Sequence, residues 1–328
     1  MPSTVDGLLV QWGDRLFYPS NRMTASRTPV LTEAAIRQRA QAFRQRIRAT
    51  VVCRAPQVMV KVTGGGRGMG AIAAHFHYIS KHGRLAFEDD RGVVDQGKDA
   101  LHDLAEQWRL GGSLIGETSP RREAFNLMLS MPRGTDAQIV LRAAREFAQI
   151  ELKDHRYVMV LHEHQENPHV HLSVRAESIE GKRLNPRKPD LHRWRETFAE
   201  KLHGYGVEAE ATRQATRGAG RRFENLWQVK ARDEGRLRNA VEPKKSGDAY
   251  LRSRVGALEA WAHITAALRA SDQAADRELA KRISSFVLKS DFGTEHSRKR
   301  QREVPVRPRA RDAEPTISNA RPEREIKR

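Results

Sequence analysis

The sequence predicts an α+β fold in which a central antiparallel sheet of about five strands is layered with helices. The first observation is a pair of alternating segments in residues 156–176, joined by a short polar connection that contains Asn167 and Pro168. A short connection of this kind pairs its two strands in antiparallel fashion. The second observation is the order of the predicted elements, which is strand, helix, helix, strand, helix, strand, strand, helix and strand. Connections that run through helices place those helices on the faces of the sheet.

Alternation and helical periodicity define the elements of this central part of the chain in order. The predicted strands are residues 57–63, residues 125–131, the two strands of the hairpin and residues 207–212. The predicted helices are residues 71–82, 99–110 and 137–151, followed by a helix that has Asp190 as its N-cap and ends at Gly204 and Gly206. Each helix has one apolar side, which is the side expected to pack on the sheet.

The segments on either side of this central part differ from it in composition. These differences predict that the chain has four parts. Residues 1–55 are expected to be an extension that is irregular at first and then forms a basic amphipathic helix. Residues 56–230 form the central domain. Residues 231–290 are expected to contain a linker and then a helical hairpin. The Arg-rich segment 291–328 has almost no large apolar residues, so we expect it to be disordered.

Charge and cysteine content narrow the classes of function. The chain has 328 residues and a formal net charge of +18, with a pI of about 10.5. This surplus of positive charge favours a polyanionic partner, most simply nucleic acid, and no apolar run is long enough to span a bilayer. The N-terminus lacks an apolar secretory core, and the single cysteine, Cys53, allows no disulfide within the chain. Both features predict a cytoplasmic protein.

Three histidines in the predicted hairpin are candidate metal ligands. His169 and His171 are two residues apart in one strand, so their side chains lie on the same face. Pairing of the two strands brings His162 close to both. A His-x-His pair alone is more often the polar face of a strand, but a third histidine across the turn favours a site for one divalent cation. Three imidazoles suit Mn, Zn, Ni or Co better than Mg, which prefers oxygen ligands.

A glycine-rich run and a tyrosine precede the hairpin. Residues 64–70 read Gly-Gly-Gly-Arg-Gly-Met-Gly and lack the Gly-Lys-Ser/Thr ending of a nucleotide-binding loop. We therefore interpret this run as a flexible connection from strand to helix, with phosphate binding by its backbone amides as the weaker alternative. Tyr78 shares a helix face with His75 and His82. Taken alone, a tyrosine in this position is usually a half-exposed surface residue.

Several short stretches of the sequence resemble the motifs of DNA relaxases, the HUH endonucleases of conjugation and mobilisation. The stretches are His77-Tyr78-Ile79-Ser80-Lys81-His82-Gly83-Arg84-Leu85, Leu129-Ser130-Met131-Pro132-Arg133-Gly134-Thr135-Asp136, His162-Glu163-His164-Gln165-Glu166-Asn167-Pro168-His169-Val170-His171 and Thr216-Arg217-Gly218. The resemblance covers about residues 57–222. It is closest to the relaxases of T-DNA transfer systems and to the related MobP-like mobilisation group. Three of these motifs stand in the family's order, which makes the resemblance specific.

The resemblance implies an HUH relaxase-like fold and a role for each matching residue. His162, His169 and His171 would bind one divalent metal ion, Mn or Mg in function, with Zn, Ni or Co as alternatives. Tyr78 would attack the scissile phosphodiester. The motif residues implied to bind DNA are Ser130, Arg133 and Arg217, and Arg67 of the glycine-rich run is a further DNA-binding candidate.

The chain departs from the family at the position of one acidic residue. Many relaxases carry an acid two positions after the first histidine, where this chain has His164. In relatives that acid orients a histidine or handles the proton of the tyrosine. His164 is the catalytic candidate for this task, and Glu163, Glu166 or His75 could also perform it.

The implied function is that of a metal-dependent tyrosine transesterase, a relaxase that nicks one DNA strand at a specific site and forms a covalent 5′-phosphotyrosine. The nick would start conjugative transfer or mobilisation of a mobile genetic element. Expected partners are single-stranded DNA at an origin of transfer, a relaxosome accessory protein, a coupling protein and a type IV secretion system. The expected location is the bacterial cytoplasm, with translocation into the recipient cell alongside the DNA.

Two alternative functions fit parts of the same pattern. An initiator of rolling-circle replication or transposition would use the same metal and tyrosine chemistry. A basic DNA-binding accessory protein would instead use the histidines to hold a structural metal. A covalent adduct with DNA that needs both Tyr78 and a metal separates the enzymes from the accessory protein.

Overall fold

The computed structural model describes residues 4–18, 31–163, 167–219, 231, 234–236 and 247–294. Within these residues the predicted α+β architecture is confirmed, and the strands form one open antiparallel sheet. The strands are β1 (Met59–Gly64), β2 (Phe87–Asp89), β3 (Val94–Asp95), β4 (Ala124–Ser130), β5 (Tyr157–His162) and β6 (His169–Arg175). The order across the sheet is β1-β4-β6-β5-β2-β3, so the strands that carry the histidines lie at its centre.

Helices cover both faces of this sheet. The helices of the described residues are α1 (Val5–Phe17), α2 (Glu33–Val51), α3 (Met69–Ile79), α4 (Lys98–Leu110), α5 (Ala137–Glu151), α6 (Lys188–Gly204), α7 (Asp248–Arg269) and α8 (Ala274–Lys289). On one face α5 and α6 pack over the largest apolar core, in which Phe147 and Phe198 are fully buried. On the other face α3 and α4 form a second core through Phe76 and Trp108. The central domain therefore has three layers.

The register of the central strands decides which side chains face each layer. In β6, Val170, Leu172 and Val174 are fully buried in the core beneath α5 and α6. Because side chains alternate along a strand, His169 and His171 point to the opposite face, on the side of α3. A shift of one residue would move the apolar set out of the core, so the burial of these three residues fixes the histidine face.

The sheet differs from the predicted one at both edges. The predicted strand 207–212 is wrong, because this segment makes only one isolated bridge, between Glu210 and Gln57. Instead β2 and β3 form a short hairpin that extends the sheet beyond β5. The carboxylate of Asp89 closes the turn of that hairpin by accepting hydrogen bonds from the backbone N–H groups of Arg91 and Val93.

The start of α6 also differs from the prediction. The N-cap is Arg187, not Asp190, and the helix begins at Lys188. Asp190 still acts at this helix start, because its carboxylate accepts a hydrogen bond from the backbone N–H of Arg187 at 2.9 Å. A carboxylate in the first turn also interacts favourably with the positive end of the helix dipole.

The two ends of the chain form a second unit, the helical lobe, which consists of α1, α2, α7 and α8. The prediction that the first part of the N-terminal extension is irregular is wrong for Val5–Phe17, which is a helix. Leu9 and Leu16 on this helix are fully buried. The predicted helical hairpin is confirmed as α7 and α8, and its Trp261 lies edge-on to Phe17 at 6.4 Å between ring centroids. Segments far apart in sequence thus share one core.

Residues 213–219 connect the helical lobe to the sheet domain. The hydroxyl of Thr216 donates to the carbonyl of Leu16 at 2.8 Å, and the indole N–H of Trp261 donates to the carbonyl of Thr216 at 2.9 Å. On the sheet domain, Arg46 of α2 forms an ion pair with Glu196 of α6 at 2.9 Å. Side chains from both the N-terminal and the C-terminal helices of the lobe therefore attach it to the rest of the chain.

The remaining predictions for the flanks fall mainly outside the described residues. Most of the predicted linker and the segment after residue 294 belong to this group. Residues 291–294 are helical, and Phe292 is buried, so the predicted disorder is wrong for these four residues. Among the residues that the structure describes, no helix is both long and apolar enough to cross a membrane.

Candidate metal and nucleophile site

The three predicted histidine ligands lie together at the centre of the sheet. His162 on β5 is directly opposite His169 on β6, and His171 follows two residues later on the same face. The ring centroids are 5.1 Å apart for His162 and His169, 4.7 Å for His162 and His171, and 4.9 Å for His169 and His171. One nitrogen of each ring lies within 4.8 Å of one from each of the others. This arrangement could hold one metal ion.

Backbone carbonyls orient two of these imidazoles. The Nε2–H of His162 donates to the carbonyl of Ile79 at 2.6 Å, and the Nδ1–H of His169 donates to the carbonyl of Asn167 at 2.9 Å. Each hydrogen bond fixes the tautomer of the neutral imidazole ring. The ring nitrogen that carries the lone pair for a metal is therefore Nδ1 in His162 and Nε2 in His169. Backbone carbonyls commonly orient metal-binding histidines in this way.

His171 carries an unsatisfied nitrogen, which supports a metal at this position. Its Nδ1 atom is buried and has no hydrogen-bond partner. Buried polar atoms are nearly always paired with protein, water or an ion. Burial, together with the positive charge that His162, His169 and His75 would carry when protonated, lowers the pKa of His171 to about 3. The ring is therefore neutral at physiological pH, the state that metal binding requires. The donor set fits a divalent metal ion.

Tyr78 stands beside this cluster on the last turn of α3. Its side chain is 67% exposed, and its ring is edge-on to His171 with 6.4 Å between the centroids. The helix is fixed by its other side, where Ile72, Phe76 and Ile79 are buried against the sheet. The apolar stripe thus presents the phenol to solvent next to the histidines, as the helical spacing predicts.

A second polar pair lies next to Tyr78 and was not recognised from the sequence as a pair. The Nδ1 atom of His75 and the hydroxyl of Ser173 are 2.6 Å apart, and the His75 ring centroid is 6.3 Å from that of Tyr78. Burial lowers the pKa of His75 to about 4, so its ring is neutral at pH 7. The sequence signal was the period of two along β6, which puts Ser173 on the face of His171.

Two of the predicted DNA-binding residues lie at the edge of the histidine cluster. Ser130 is directly opposite His169 across β4 and β6, and its hydroxyl is 3.3 Å from the carbonyl of Pro168. The backbone N–H of Arg133 donates to the side-chain carbonyl of Asn167 at 3.0 Å. The motif around residues 129–136 is therefore in contact with the connection between the histidine-bearing strands.

The other two predicted DNA-binding residues are engaged in contacts within the protein. Arg217 donates to the hydroxyl of Thr212 at 2.5 Å and to the carbonyl of Ala55 at 2.6 Å. Burial lowers its pKa. Arg67 donates to the carbonyl of Pro120 at 2.8 Å. For these two arginines, DNA contact stays a prediction that the geometry does not favour.

The glycine-rich run packs closely against the segment that precedes β4. Its N–H groups at Gly66, Met69 and Gly70 donate to backbone carbonyls of residues 124, 116 and 117. A Cβ atom at Gly68 would collide with the carbonyl of Glu117, and the φ angle of Gly68 is 97°. The run is therefore a close-packed connection, and these amides are not directed at a phosphate.

The position that departs from the family lies outside the described residues. His164 and Glu166 belong to a stretch, residues 164–166, that the structure does not describe. Glu163 is described and exposed. The identity of the base therefore stays a prediction, with His164 as its candidate.

Comparison with known proteins identifies one family. Residues 78–207 match the family model described as "Relaxase: MobA/VirD2-like, nuclease domain". The match begins at the exposed tyrosine and includes the three clustered histidines and Ser130. No curated protein matches the chain significantly.

Proposed function

We propose that the chain nicks one DNA strand and holds the new 5′ end covalently, through residues 78–207, the part that matches the MobA/VirD2-like relaxase nuclease family model. The observation that carries this proposal is the position of the Tyr78 ring, edge-on to His171 at the margin of the three-histidine cluster. The proposed nucleophile therefore lies beside the candidate metal ligands, which supports the action of both on one phosphodiester.

Tyr78 is the proposed nucleophile. Its phenolic oxygen attacks the phosphorus of the scissile phosphodiester, a bond forms between them, and the bond to the 3′ oxygen breaks. The phenol loses its proton to a base or to water, and the departing oxygen gains one to become a free 3′-hydroxyl. The product is a 5′-phosphotyrosine. A 3′-hydroxyl can attack this phosphotyrosine in the reverse reaction and rejoin the strand without ATP. This suits strand transfer better than degradation.

His162, His169 and His171 are the proposed ligands of one divalent metal ion. When bound, such an ion supplies positive charge that stabilises the negative charge developing on the non-bridging phosphate oxygens. The carbonyls of Ile79 and Asn167 hold two of the rings in fixed tautomers. We propose Mn or Mg as the ion used in function, while the imidazole set by itself also suits Zn, Ni or Co.

Single-stranded DNA is the proposed substrate. The reacting phosphate must reach a site that lies on the surface of a sheet, which a base-paired strand cannot do without unpairing. On the same face Lys61 of β1 is exposed and lies opposite Met128, the residue that pairs with His171. With a chain net charge of +18, we expect binding to weaken steeply with salt.

The nicking assay tests this proposal directly. Supercoiled plasmid carrying the DNA that flanks this gene is mixed with protein and Mn²⁺ or Mg²⁺, and the reaction is quenched with detergent. We expect a nicked circle with protein attached to one 5′ end, abolished by EDTA and by Tyr78→Phe. Tyr205→Phe is the matched control, because the Tyr205 hydroxyl donates to Glu146 of α5 on the opposite face of the sheet. If Tyr78→Phe still nicks, the nucleophile is another tyrosine.

We propose conjugative transfer or mobilisation as the process that this nick starts. The proposed partners are an origin of transfer, a relaxosome accessory protein, a coupling protein and a type IV secretion system, with the protein acting in the bacterial cytoplasm and travelling with the DNA. A kinship with the relaxases of T-DNA transfer is part of this proposal. A mobilisation assay separates it from replication or transposition: transfer between cells should require Tyr78 and a compatible secretion system.

A further inference from the structure

The nucleophile helix and the metal site share a direct hydrogen bond. Helix α3 ends at Ile79, the residue that follows Tyr78. The carbonyl of Ile79 accepts the Nε2–H of His162 at 2.6 Å, and both residues are buried. The residue that follows Tyr78 therefore supplies the contact that orients a proposed metal ligand.

If the helix continued, a backbone N–H would share the Ile79 carbonyl with His162. In an α-helix each carbonyl accepts from the N–H four residues later, which for Ile79 is the N–H of Gly83. Here that N–H donates to the side-chain hydroxyl of Ser80 at 3.0 Å instead. The Ser80 hydroxyl in turn donates to the carbonyl of Phe76 at 2.7 Å. Ser80 thus occupies the donor that would compete with His162.

The backbone after Ser80 is held in an unfavourable conformation. Lys81, His82 and Gly83 have φ angles of 52°, 59° and 82°, so three successive residues lie in the left-handed region. For residues with a Cβ atom this region is costly, and a conformation of this kind persists when surrounding contacts hold it. The Gly97 N–H donates to the Gly83 carbonyl at 3.1 Å, and a Cβ on Gly83 would lie 2.6 Å from the Gly97 carbonyl carbon. The turn is therefore locked in place.

We propose that Ser80, which is fully buried, is a positioning residue that couples the nucleophile helix to the metal site. By taking the N–H of Gly83, it leaves the Ile79 carbonyl to orient His162, and through that carbonyl the last turn of α3 and the metal ligand hold each other in place. This inference rests on the proposed function for the roles of Tyr78 and the histidines. It follows that metal binding stabilises the end of α3 and that loosening this end weakens metal binding.

The test is the metal affinity of Ser80→Ala, measured without DNA by titrating Co²⁺ and following its visible absorption. The alanine removes the hydroxyl that accepts from the Gly83 N–H and donates to the Phe76 carbonyl. The turn that positions the Ile79 carbonyl loses this support, so we expect the dissociation constant to rise about 10-fold, as for other contacts that orient metal ligands. Ser80→Thr keeps the hydroxyl and should restore most of the affinity. Ser271→Ala is the matched control, since Ser271 is also buried and bonds Asp276 within the helical lobe.

Hydrogen exchange of the wild-type protein provides a second readout that does not depend on the folding of a variant. Addition of Mn²⁺ should slow exchange of the amides in residues 79–85 and leave α7 unchanged. Unchanged exchange in residues 79–85, or equal Co²⁺ affinity of wild type and Ser80→Ala, would overturn the coupling. Neither measurement uses nicking, so a wild-type protein that shows the coupling but fails to nick would refute only the proposed function.

Discussion

At the scale of single residues, the unsatisfied nitrogen of His171 gives the metal site a measurable energetic signature. A buried polar atom without a partner costs about 1–3 kcal/mol, and that cost falls on the metal-free protein. A metal that binds the folded state alone adds about 2.7 kcal/mol of stability when its concentration is 100 times the Kd. We expect saturating Mn²⁺ to raise the Tm by roughly 5 °C, measured by differential scanning fluorimetry, and His169→Ala to remove most of this shift.

The control for that measurement is His102→Ala, which removes an exposed histidine of α4. It should keep the full Mn²⁺ shift, and EDTA should reverse the shift in every variant that shows it. A His169→Ala protein that is stabilised as strongly as wild type would mean that the metal binds elsewhere on the chain.

Sequence alone predicted the residues whose position depends on a local period. His169 and His171 share a face because side chains alternate along a strand, and Tyr78 avoids the apolar stripe because of helical spacing. The role of Ser80 had no such signal. That role depends on the acceptor of the Gly83 N–H, which is the Ser80 hydroxyl. The left-handed turn and its contact with Gly97 determine this acceptor.

At the scale of elements, the helices cover the sheet unevenly and leave part of one face exposed, which we propose as the surface for a DNA strand. Helices α3 and α4 lie over the half of the sheet that contains β5. On the same face Met59 and Lys61 of β1 stay exposed, with Met59 43% accessible. Exposed apolar side chains beside a lysine suit a strand whose bases lie on the protein and whose phosphates face cations.

Lys61→Ala should therefore weaken binding of single-stranded DNA without abolishing it. Loss of one phosphate contact should reduce the slope of log K against log salt by about 0.7, as expected for single strands. Fluorescence anisotropy of a labelled oligonucleotide at several salt concentrations measures both quantities. The control is Lys153→Ala, an exposed lysine after α5, the helix that packs on the opposite face of the sheet. Identical salt slopes for the two variants would place the DNA on a different surface.

Elements were predictable when they were long and strongly periodic, as α5 and β6 are. The hairpin of β2 and β3 was missed because strands of three and two residues show no measurable alternation. They exist because β5 offers a partner and Asp89 closes the turn. Helix α1 was missed although Leu9, Trp12 and Leu16 recur at spacings of three and four, because polar residues lie between them and the partner helices are distant in sequence.

At the scale of the whole molecule, the helical lobe and the sheet domain meet across a polar interface. Arg46 of α2 bridges Glu196 and Glu210, and Arg213 donates to the carbonyl of Leu16. His192 of α6 lies in this interface with its ring edge-on to Tyr18 at 5.5 Å. Both of its ring nitrogens are buried and make no hydrogen bond, and Nε2 lies 3.8 Å from the carboxylate of Glu196.

The state of His192 makes this interface sensitive to acid. Burial lowers its pKa, Glu196 opposes that effect, and Arg46, Arg195 and Arg213 add to it. Below about pH 6.5 a histidine in the unfolded chain gains a proton, whereas folded His192 stays neutral until the pH reaches its lowered pKa. The unfolded state then binds more protons, so this residue lowers the free energy of unfolding as the pH falls from about 6.5. Above that pH it has no such effect.

His192→Phe tests the physical account of this interface. The phenyl ring keeps the edge-on contact with Tyr18 and removes two unsatisfied nitrogens, so we expect the free energy of unfolding at pH 7 to rise by about 1 kcal/mol. The variant should also lose part of the decline between pH 6.5 and 5. Urea unfolding in EDTA at several pH values measures both effects, with exposed His102→Phe as the control. A variant that is less stable at pH 7 and keeps the full acid dependence would mean that the His192 nitrogens find partners in solution, and that the interface depends on them.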